Sequence, residues 1–123
     1  MTLPLLHPFT VLVAGPTGCG KTNFVFKLID DVDVMVQPSP SRIVYCYGEY
    51  QKLFANYPQV EFRRGLPDFE NFDGSEPVLL VIDDLMNETD ESIANLFTKG
   101  SHHRNVSVLF LVQNLLKTNT SEL

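Results

Sequence analysis

The sequence predicts an α/β fold with a mainly parallel β-sheet. Four apolar segments rich in β-branched residues are typical of buried strands: 9–14, 42–47, 77–82 and 107–112. The third is a continuous apolar run bounded by a loop, which indicates a strand covered on both faces. We therefore expect a single domain over residues 1–123 with a core at about 9–115. Numbered along the chain, the four strands are expected in the sheet order 2-3-4-1.

A glycine-rich loop follows the first strand. It matches the pattern G-x-x-x-x-G-K-[ST], or Walker A, with Gly15, Pro16, Thr17, Gly18, Cys19, Gly20, Lys21 and Thr22. Its glycines allow successive backbone N–H groups to turn around a phosphate, and the helix predicted from Asn23 to Asp30 adds its positive dipole end. Lys21 would place an ammonium against the β- and γ-phosphates, and Thr22 would offer a hydroxyl to Mg²⁺. The loop therefore predicts nucleoside triphosphate binding, and the alternative is a chance match by a glycine-rich turn.

The predicted helix has an apolar stripe that should cover the sheet. The stripe consists of Phe24, Val25, Phe26, Leu28, Ile29 and Val32. Residues 37–41 are rich in proline and serine and should end the helix before the second strand.

Shorter elements are expected between the second and third strands. The sequence favours a short helix at 49–57 with Leu53 and Phe54 inward, an edge strand at 60–62 and a turn at 63–65. Residues 66–76 contain Pro, Asp, Asn and Gly, and should form an exposed loop anchored by Phe69 and Phe72.

The third strand ends in two acids, as a Walker B strand does. We expect Asp83 to hold Mg²⁺ through its water shell and Asp84 to polarise an attacking water. The alternative is that the pair caps the following helix, predicted at 87–99. The fourth strand ends at Gln113, which could sense the γ-phosphate and orient the water. Its alternative role is to satisfy loop backbone.

Composition limits the functional classes. The chain has 123 residues, 44% of them hydrophobic, and a formal net charge of −6, which argues against a static nucleic-acid coat protein but not against a motor. Its two cysteines have neither metal nor redox spacing, which favours a reducing compartment. The N-terminus lacks a basic region, and no apolar run approaches a membrane span. We therefore expect an intracellular protein, in cytoplasm or nucleus.

The order of these features resembles the additional-strand branch of P-loop ATPases, and the resemblance covers roughly residues 9–115. Three segments are similar to the DNA-packaging ATPases of large double-stranded DNA viruses, which belong with the FtsK/HerA translocases and have relatives in Polinton/Maverick-type elements: 43–49, 80–85 and 101–114. The resemblance implies the three-layer sandwich of P-loop NTPases and a homo-oligomeric ring that threads double-stranded DNA. It also implies ATP between subunits and makes Arg104 a candidate arginine finger for the neighbour's γ-phosphate. The alternative for Arg104 is a solvated loop residue.

The sequence departs from that family in two respects. Asp84 replaces the commoner glutamate, although Asp-Asp pairs occur among the viral relatives. The family also continues with a further strand beside the phosphate-loop strand, so we expect a fifth strand to be missing through C-terminal truncation.

The expected function is ATP hydrolysis with Mg²⁺ that drives DNA movement, with Asp84, Gln113 and Arg104 as the catalytic residues. A small P-loop kinase is one alternative, which would predict an arginine-rich lid and an acceptor pocket. A non-catalytic, truncated remnant that binds nucleotide or nothing is another.

Overall fold

Five parallel strands form the main sheet of the molecule. The structure is a computed structural model and describes residues 4–16, 20–67, 71–83 and 104–113. Its elements in chain order are β1 (Leu5–Leu6), β2 (Thr10–Ala14), α1 (Lys21–Asp30), α2 (Val32–Met35), β3 (Val36–Gln37), β4 (Arg42–Tyr47), a 3-10 helix (Lys52–Asn56), β5 (Glu61–Arg64), β6 (Val78–Asp83) and β7 (Val106–Val112). The predicted α/β class with a mainly parallel sheet is confirmed.

The strands of the main sheet are ordered β2-β7-β6-β4-β5, and every neighbouring pair is parallel. Parallel strands all end at the same edge of a sheet, so the residues that follow β2, β6 and β7 meet there. The register aligns Ala14 with Val112 and Asp83 with Leu111. Two central strands, β6 and β7, are buried on both faces along almost their whole length, as predicted for the apolar runs.

Two apolar cores lie on opposite faces of the sheet. On one face, α1 packs Val25, Phe26 and Ile29 against the strands. On the other face, Phe72 lies against a group from three strands, β4, β6 and β7, in which Cys46 is fully buried. Burial raises the pKa of the Cys46 thiol to about 11, so this cysteine is a core residue and is not a reactive thiol at neutral pH. The expectation that Phe72 anchors its loop is confirmed, because its side chain is buried.

The expectation that the first strand is buried is wrong for one of its faces. Thr10, Leu12 and Ala14 are exposed, and Leu12 retains 48% of its surface. Within the described part of the chain, β2 pairs only with β7 and lies at the margin of the sheet. Apolar, β-branched composition predicts that a strand forms, but it does not distinguish a marginal strand from a central one.

The helix after the loop begins earlier than predicted and buries a narrower stripe. It starts at Lys21 because Gly20, at φ +99°, turns the chain into the helix and accepts a hydrogen bond from the Phe24 amide at 3.0 Å. The expected place of Phe24 in the apolar stripe is wrong, since 46% of this residue is exposed. The buried face centres on Val25 and Ile29, and Phe24 lies at its margin.

The segments around β4 differ in detail from expectation. The short helix predicted at 49–57 is a 3-10 helix that buries Phe54. The predicted turn at 63–65 is wrong in part, because Arg63 and Arg64 continue β5 and the chain turns only at Gly65, where φ is +89°.

Two further strands were not predicted. Leu5–Leu6 and Val36–Gln37 form a separate two-stranded parallel sheet. Strands of two residues are too short to produce a detectable apolar alternation. The helix predicted at 87–99 and the anchor Phe69 lie outside the described residues. Within the described ranges, none of the helices has the length and apolar character needed to cross a membrane.

Candidate functional site

Both ends of the predicted phosphate loop contact Val112, the last residue of β7. The backbone N–H of Gly15 donates to the Val112 carbonyl at 3.1 Å, and Lys21 Nζ donates to the same carbonyl at 2.9 Å. Gly15 and Pro16 continue directly from β2, which lies beside β7. One carbonyl at the end of a central strand therefore receives a bond from both sides of the loop. Thr17, Gly18 and Cys19 lie outside the described residues.

Lys21 combines a positive charge with low exposure. Only 8% of the residue is accessible to solvent, and its ammonium lies where α1 begins. Burial of a charged ammonium is costly unless polar groups surround it, and the Val112 carbonyl supplies one such partner. An ammonium has three donors, and the bond to Val112 uses one of them.

The start of α1 has the chemistry of an anion site. The helix has ten residues, its first turn contains no acidic residue, and Gly20 provides no side-chain cap. Lys21 is the first residue of α1, so it belongs to the end of the helix that carries the positive end of the dipole and the amides of the first turn. Thr22 follows in the first turn and is half-buried.

Asp83 lies on the strand adjacent to β7 at the same edge. It is the last residue of β6, is half-buried and aligns with Leu111, one residue before Val112. Adjacent strands are about 4.8 Å apart, so the carboxylate and the Val112 carbonyl occupy neighbouring positions along the edge. The Tyr45 hydroxyl donates a hydrogen bond to Asp83 Oδ2 at 2.6 Å.

Tyr45 is a site residue that sequence reasoning missed. It lies within the apolar second strand and is fully buried, so by its pattern alone it is a core residue. Its contact with Asp83 depends on β4 and β6 being neighbours in a particular register. That information is not local to either segment.

The remaining predicted residues divide between the two edges of the sheet. Gln113 follows β7 directly and is exposed at the edge that carries Lys21 and Asp83. Arg104 precedes β7 and therefore lies at the opposite edge, where its guanidinium donates to the Phe72 carbonyl at 2.9 Å. Within one chain the structure does not bring Arg104 to the other predicted residues. Asp84 lies outside the described residues.

The donor set fits a magnesium nucleotide. A buried ammonium and a helix start would receive phosphate oxygens, while the Asp83 carboxylate and the Thr22 hydroxyl are oxygen ligands of the kind that Mg²⁺ prefers. Among the described residues there is no group of three or more His, Cys, Asp or Glu side chains arranged to hold a metal. A magnesium ion that arrives with phosphates needs only one or two protein oxygens, so the two observations are compatible.

A second polar cluster lies at the opposite edge, and we call it the N-terminal network: His7, Asn105 and Ser107. His7 Nδ1 lies 2.5 Å from Ser107 Oγ, and His7 Nε2 lies 2.7 Å from Asn105 Oδ1. Asn105 Oδ1 can only accept, so the Nε2–H of His7 donates to it. Ser107 Oγ also accepts a hydrogen bond from the Phe9 amide at 3.0 Å. Ser107 is fully buried, so the network joins the start of β7 to the segment before β2 and offers no accessible nucleophile.

An ion pair joins β4 to β5. Arg42 Nε and Nη2 bind the two carboxylate oxygens of Glu61 at 2.5 Å and 3.0 Å. The Arg42 guanidinium also lies over the Phe72 ring, 5.3 Å from its centroid. Chiefly through its hydrogen bond, Arg42 holds the pKa of Glu61 below its ordinary value.

Comparison with known proteins gave no matching family model, no matching curated protein and no matching solved structure.

Proposed function

We propose that the chain binds ATP with Mg²⁺ at the C-terminal edge of the sheet and hydrolyses it. The observation that carries the proposal is the double contact on Val112. Gly15 and Lys21 both donate hydrogen bonds to the carbonyl of Val112, the last residue of β7. Asp83 is the last residue of the adjacent strand, β6. A phosphate-binding loop needs an ammonium, a helix start and a carboxylate at one edge, and these are the groups that meet there.

The order of the strands supports a P-loop NTPase sandwich. The four long strands, numbered along the chain, follow one another as 2-3-4-1, with the short β5 outside the second. The strand before the loop therefore neighbours the strand that ends in Gln113, and that strand neighbours the one that ends in Asp83. Helix α1 covers one face of this sheet.

Each residue in the proposal has a distinct task. Lys21 and the amides at the start of α1 bind the phosphates and stabilise charge that develops on the transferred group. Thr22 and Asp83 hold Mg²⁺, which when bound neutralises negative charge on the phosphates. Gln113 with Asp84 orients the attacking water, and no covalent intermediate on the protein is required.

We propose further that hydrolysis drives movement along double-stranded DNA in a homo-oligomeric ring. The resemblance of three segments to DNA-packaging ATPases supports this step. The position of Arg104 also supports it, since this residue lies at the edge opposite its own chain's Lys21. An arginine placed there can act on a nucleotide only if that nucleotide is bound by another subunit.

The test is ATP hydrolysis by the purified chain with Mg²⁺, with and without double-stranded DNA, beside Lys21→Ala and Lys27→Ala. Lys27 is an exposed lysine in the last turn of the same helix, so its variant is a matched control. We expect turnover that rises with DNA, a loss of about 100-fold or more in Lys21→Ala, and little change in Lys27→Ala.

Other outcomes favour the alternatives. ATP binding without turnover in either condition would indicate a non-catalytic remnant. Phosphate transfer to a small acceptor without a DNA effect would indicate a kinase. Turnover in Lys21→Ala equal to that of the unaltered chain would contradict the proposed site.

A further inference from the structure

We propose that Tyr45 is a positioning residue for the magnesium site, an inference that rests on the proposed function. Its hydroxyl donates to Asp83 Oδ2 at 2.6 Å, and its side chain is completely buried. In this role Tyr45 fixes the orientation of the Asp83 carboxylate and thereby sets the direction in which that carboxylate meets the metal.

The bond follows from the register of two neighbouring strands. In the β4–β6 pair, Tyr45 is opposite Val81 and Tyr47 is opposite Asp83. Residues two apart on a strand share a face, so Asp83 lies on the same face as Val81 and diagonally ahead of Tyr45. Diagonal neighbours are about 7–8 Å apart, a distance that a tyrosine side chain spans. The hydroxyl therefore reaches the C-terminal edge although its ring belongs to the core.

The tyrosine ring is held in place from three sides. It stacks on Phe26 at 5.4 Å between centroids and 15° between planes. Phe54 lies 5.1 Å away and Phe62 5.4 Å away. Close packing on each side removes the freedom of the ring, so the position of the hydroxyl is defined before any ligand binds.

This packing connects the two halves of the proposed site. Phe26 belongs to α1, the helix that begins at Lys21, whereas Asp83 ends β6. Tyr45 contacts Phe26 through its ring and Asp83 through its hydroxyl. A single side chain therefore contacts both the phosphate-binding helix and the metal-binding carboxylate of the proposed site.

The bond is of a strong type. A hydroxyl that donates to a carboxylate at 2.5–2.7 Å is roughly twice as strong as a neutral hydrogen bond. Groups that hold a metal ligand in this way typically change metal affinity by about 10–100-fold when they are removed. A purely structural role, in which Asp83 only satisfies a buried hydroxyl, would leave metal affinity unchanged.

The test compares Tyr45→Phe with Tyr57→Phe. Tyr57 is a matched control because its ring lies 4.4 Å from the same Phe26, while its hydroxyl is 3.3 Å from Asp30 and not bonded to Asp83. Each substitution removes one hydroxyl and keeps the ring, and thermal melting reports whether each variant folds. Binding of a fluorescent ATP analogue is measured in EDTA and across a Mg²⁺ titration.

We expect similar affinity in EDTA for the unaltered chain and both variants. Mg²⁺ should increase the affinity for the ATP analogue. The Mg²⁺ concentration that gives half of this increase in affinity should rise about 10-fold in Tyr45→Phe and less than about twofold in Tyr57→Phe. Mn²⁺ binding followed by electron paramagnetic resonance should show the same difference. Equal Mg²⁺ dependence in all three proteins would overturn the role of Tyr45.

A double-mutant cycle with Asp83→Asn gives a second, independent readout. If Tyr45 acts through Asp83, Tyr45→Phe should change the Mg²⁺ dependence no further once Asp83→Asn is present. Additive effects would overturn the inference even if Tyr45→Phe alone weakens metal binding. If the unaltered chain binds no nucleotide in EDTA or Mg²⁺, and Lys21→Ala behaves identically, the proposed function itself fails and the role of Tyr45 fails with it.

Discussion

The two edges of the main sheet use polar side chains in different ways. At the N-terminal edge the side chains of His7, Asn105 and Ser107 form hydrogen bonds to one another. At the C-terminal edge the groups are an ammonium and a carboxylate: Lys21 donates to the Val112 carbonyl, and Asp83 accepts from the Tyr45 hydroxyl. Among the described residues, no buried side-chain nitrogen or oxygen lacks a hydrogen-bond partner.

This difference separates groups that hold the fold together from groups that can engage a ligand. A closed set of neutral donors and acceptors gains nothing from an added ion, and its loss leaves buried polar groups unsatisfied. An ammonium or a carboxylate gains strongly from an ion of opposite charge. Substitutions at the N-terminal edge should therefore change stability, and those at the C-terminal edge should change binding.

Arg104 is the exception to this separation of stability from ligand binding, because it lies at the N-terminal edge and is predicted to act in catalysis. We expect Arg104→Ala to retain ATP affinity and to lose about 1,000-fold in kcat, since an arginine finger stabilises only the transition state. Steady-state hydrolysis and equilibrium nucleotide binding, measured on the same preparation, separate the two effects.

A mixing experiment provides the control for Arg104. Arg104→Ala and Lys21→Ala chains should each be inactive alone and should regain turnover when assembled together. Mixed assemblies contain interfaces that join an intact Arg104 to an intact Lys21. Normal turnover in Arg104→Ala would contradict a catalytic role for Arg104. Its role would then be structural, through its hydrogen bond to the Phe72 carbonyl.

His7→Ala should produce the next largest effect, and it should appear in stability. The substitution removes the partner of the fully buried Ser107 hydroxyl and of the Asn105 amide oxygen. Leaving such groups unsatisfied costs about 1–3 kcal/mol of the free energy of unfolding. Urea denaturation measures this loss, and ATP affinity should stay within about twofold of the unaltered value. Combined with Ser107→Ala, the loss should be smaller than the sum of the two single losses, and simple additivity would contradict the network.

The pair of Arg42 and Glu61 should give the smallest effect, with a defined pH dependence. The folded state holds the pKa of Glu61 below its ordinary value, so the carboxylate stabilises the fold above about pH 4.3. That contribution is lost as the pH falls through the lowered pKa. Glu61→Gln should therefore cost less than about 1 kcal/mol at pH 7, since the side chain is 43% exposed, and should cost nothing near pH 2. Urea denaturation across this range measures the change, with the exposed Glu49→Gln as a control.

The sequence predicts well those features that depend only on a short segment of the chain. The long apolar runs that become β4, β6 and β7 are recognisable because burial on both faces requires continuous apolar character. The positions of Lys21 and Asp83 follow from local motifs at strand ends. These features needed no knowledge of which strands are neighbours.

Contacts between distant segments could not be predicted in this way. Tyr45 and Asp83 are 38 residues apart, and His7 and Ser107 are 100 residues apart. Each contact depends on strand order and register, which a single sequence specifies only through the whole fold. The exposure of Leu12 and Phe24 could not be predicted either, because it depends on which parts of their surfaces distant segments of the chain cover.

The length of β7 has a consequence for assembly. The strand has seven residues, Val106–Val112, and at a rise of about 3.3 Å per residue it spans about 20 Å between the turn that contains Arg104 and the carbonyl of Val112. A contact between one subunit's Arg104 and another's Lys21 therefore joins two different surfaces. Such an interface is heterologous, and repeated copies of it close into a ring when the rotation per subunit allows and otherwise continue as a helical filament. In such an assembly, the length of β7 would determine how far apart the two contacting surfaces of each subunit lie.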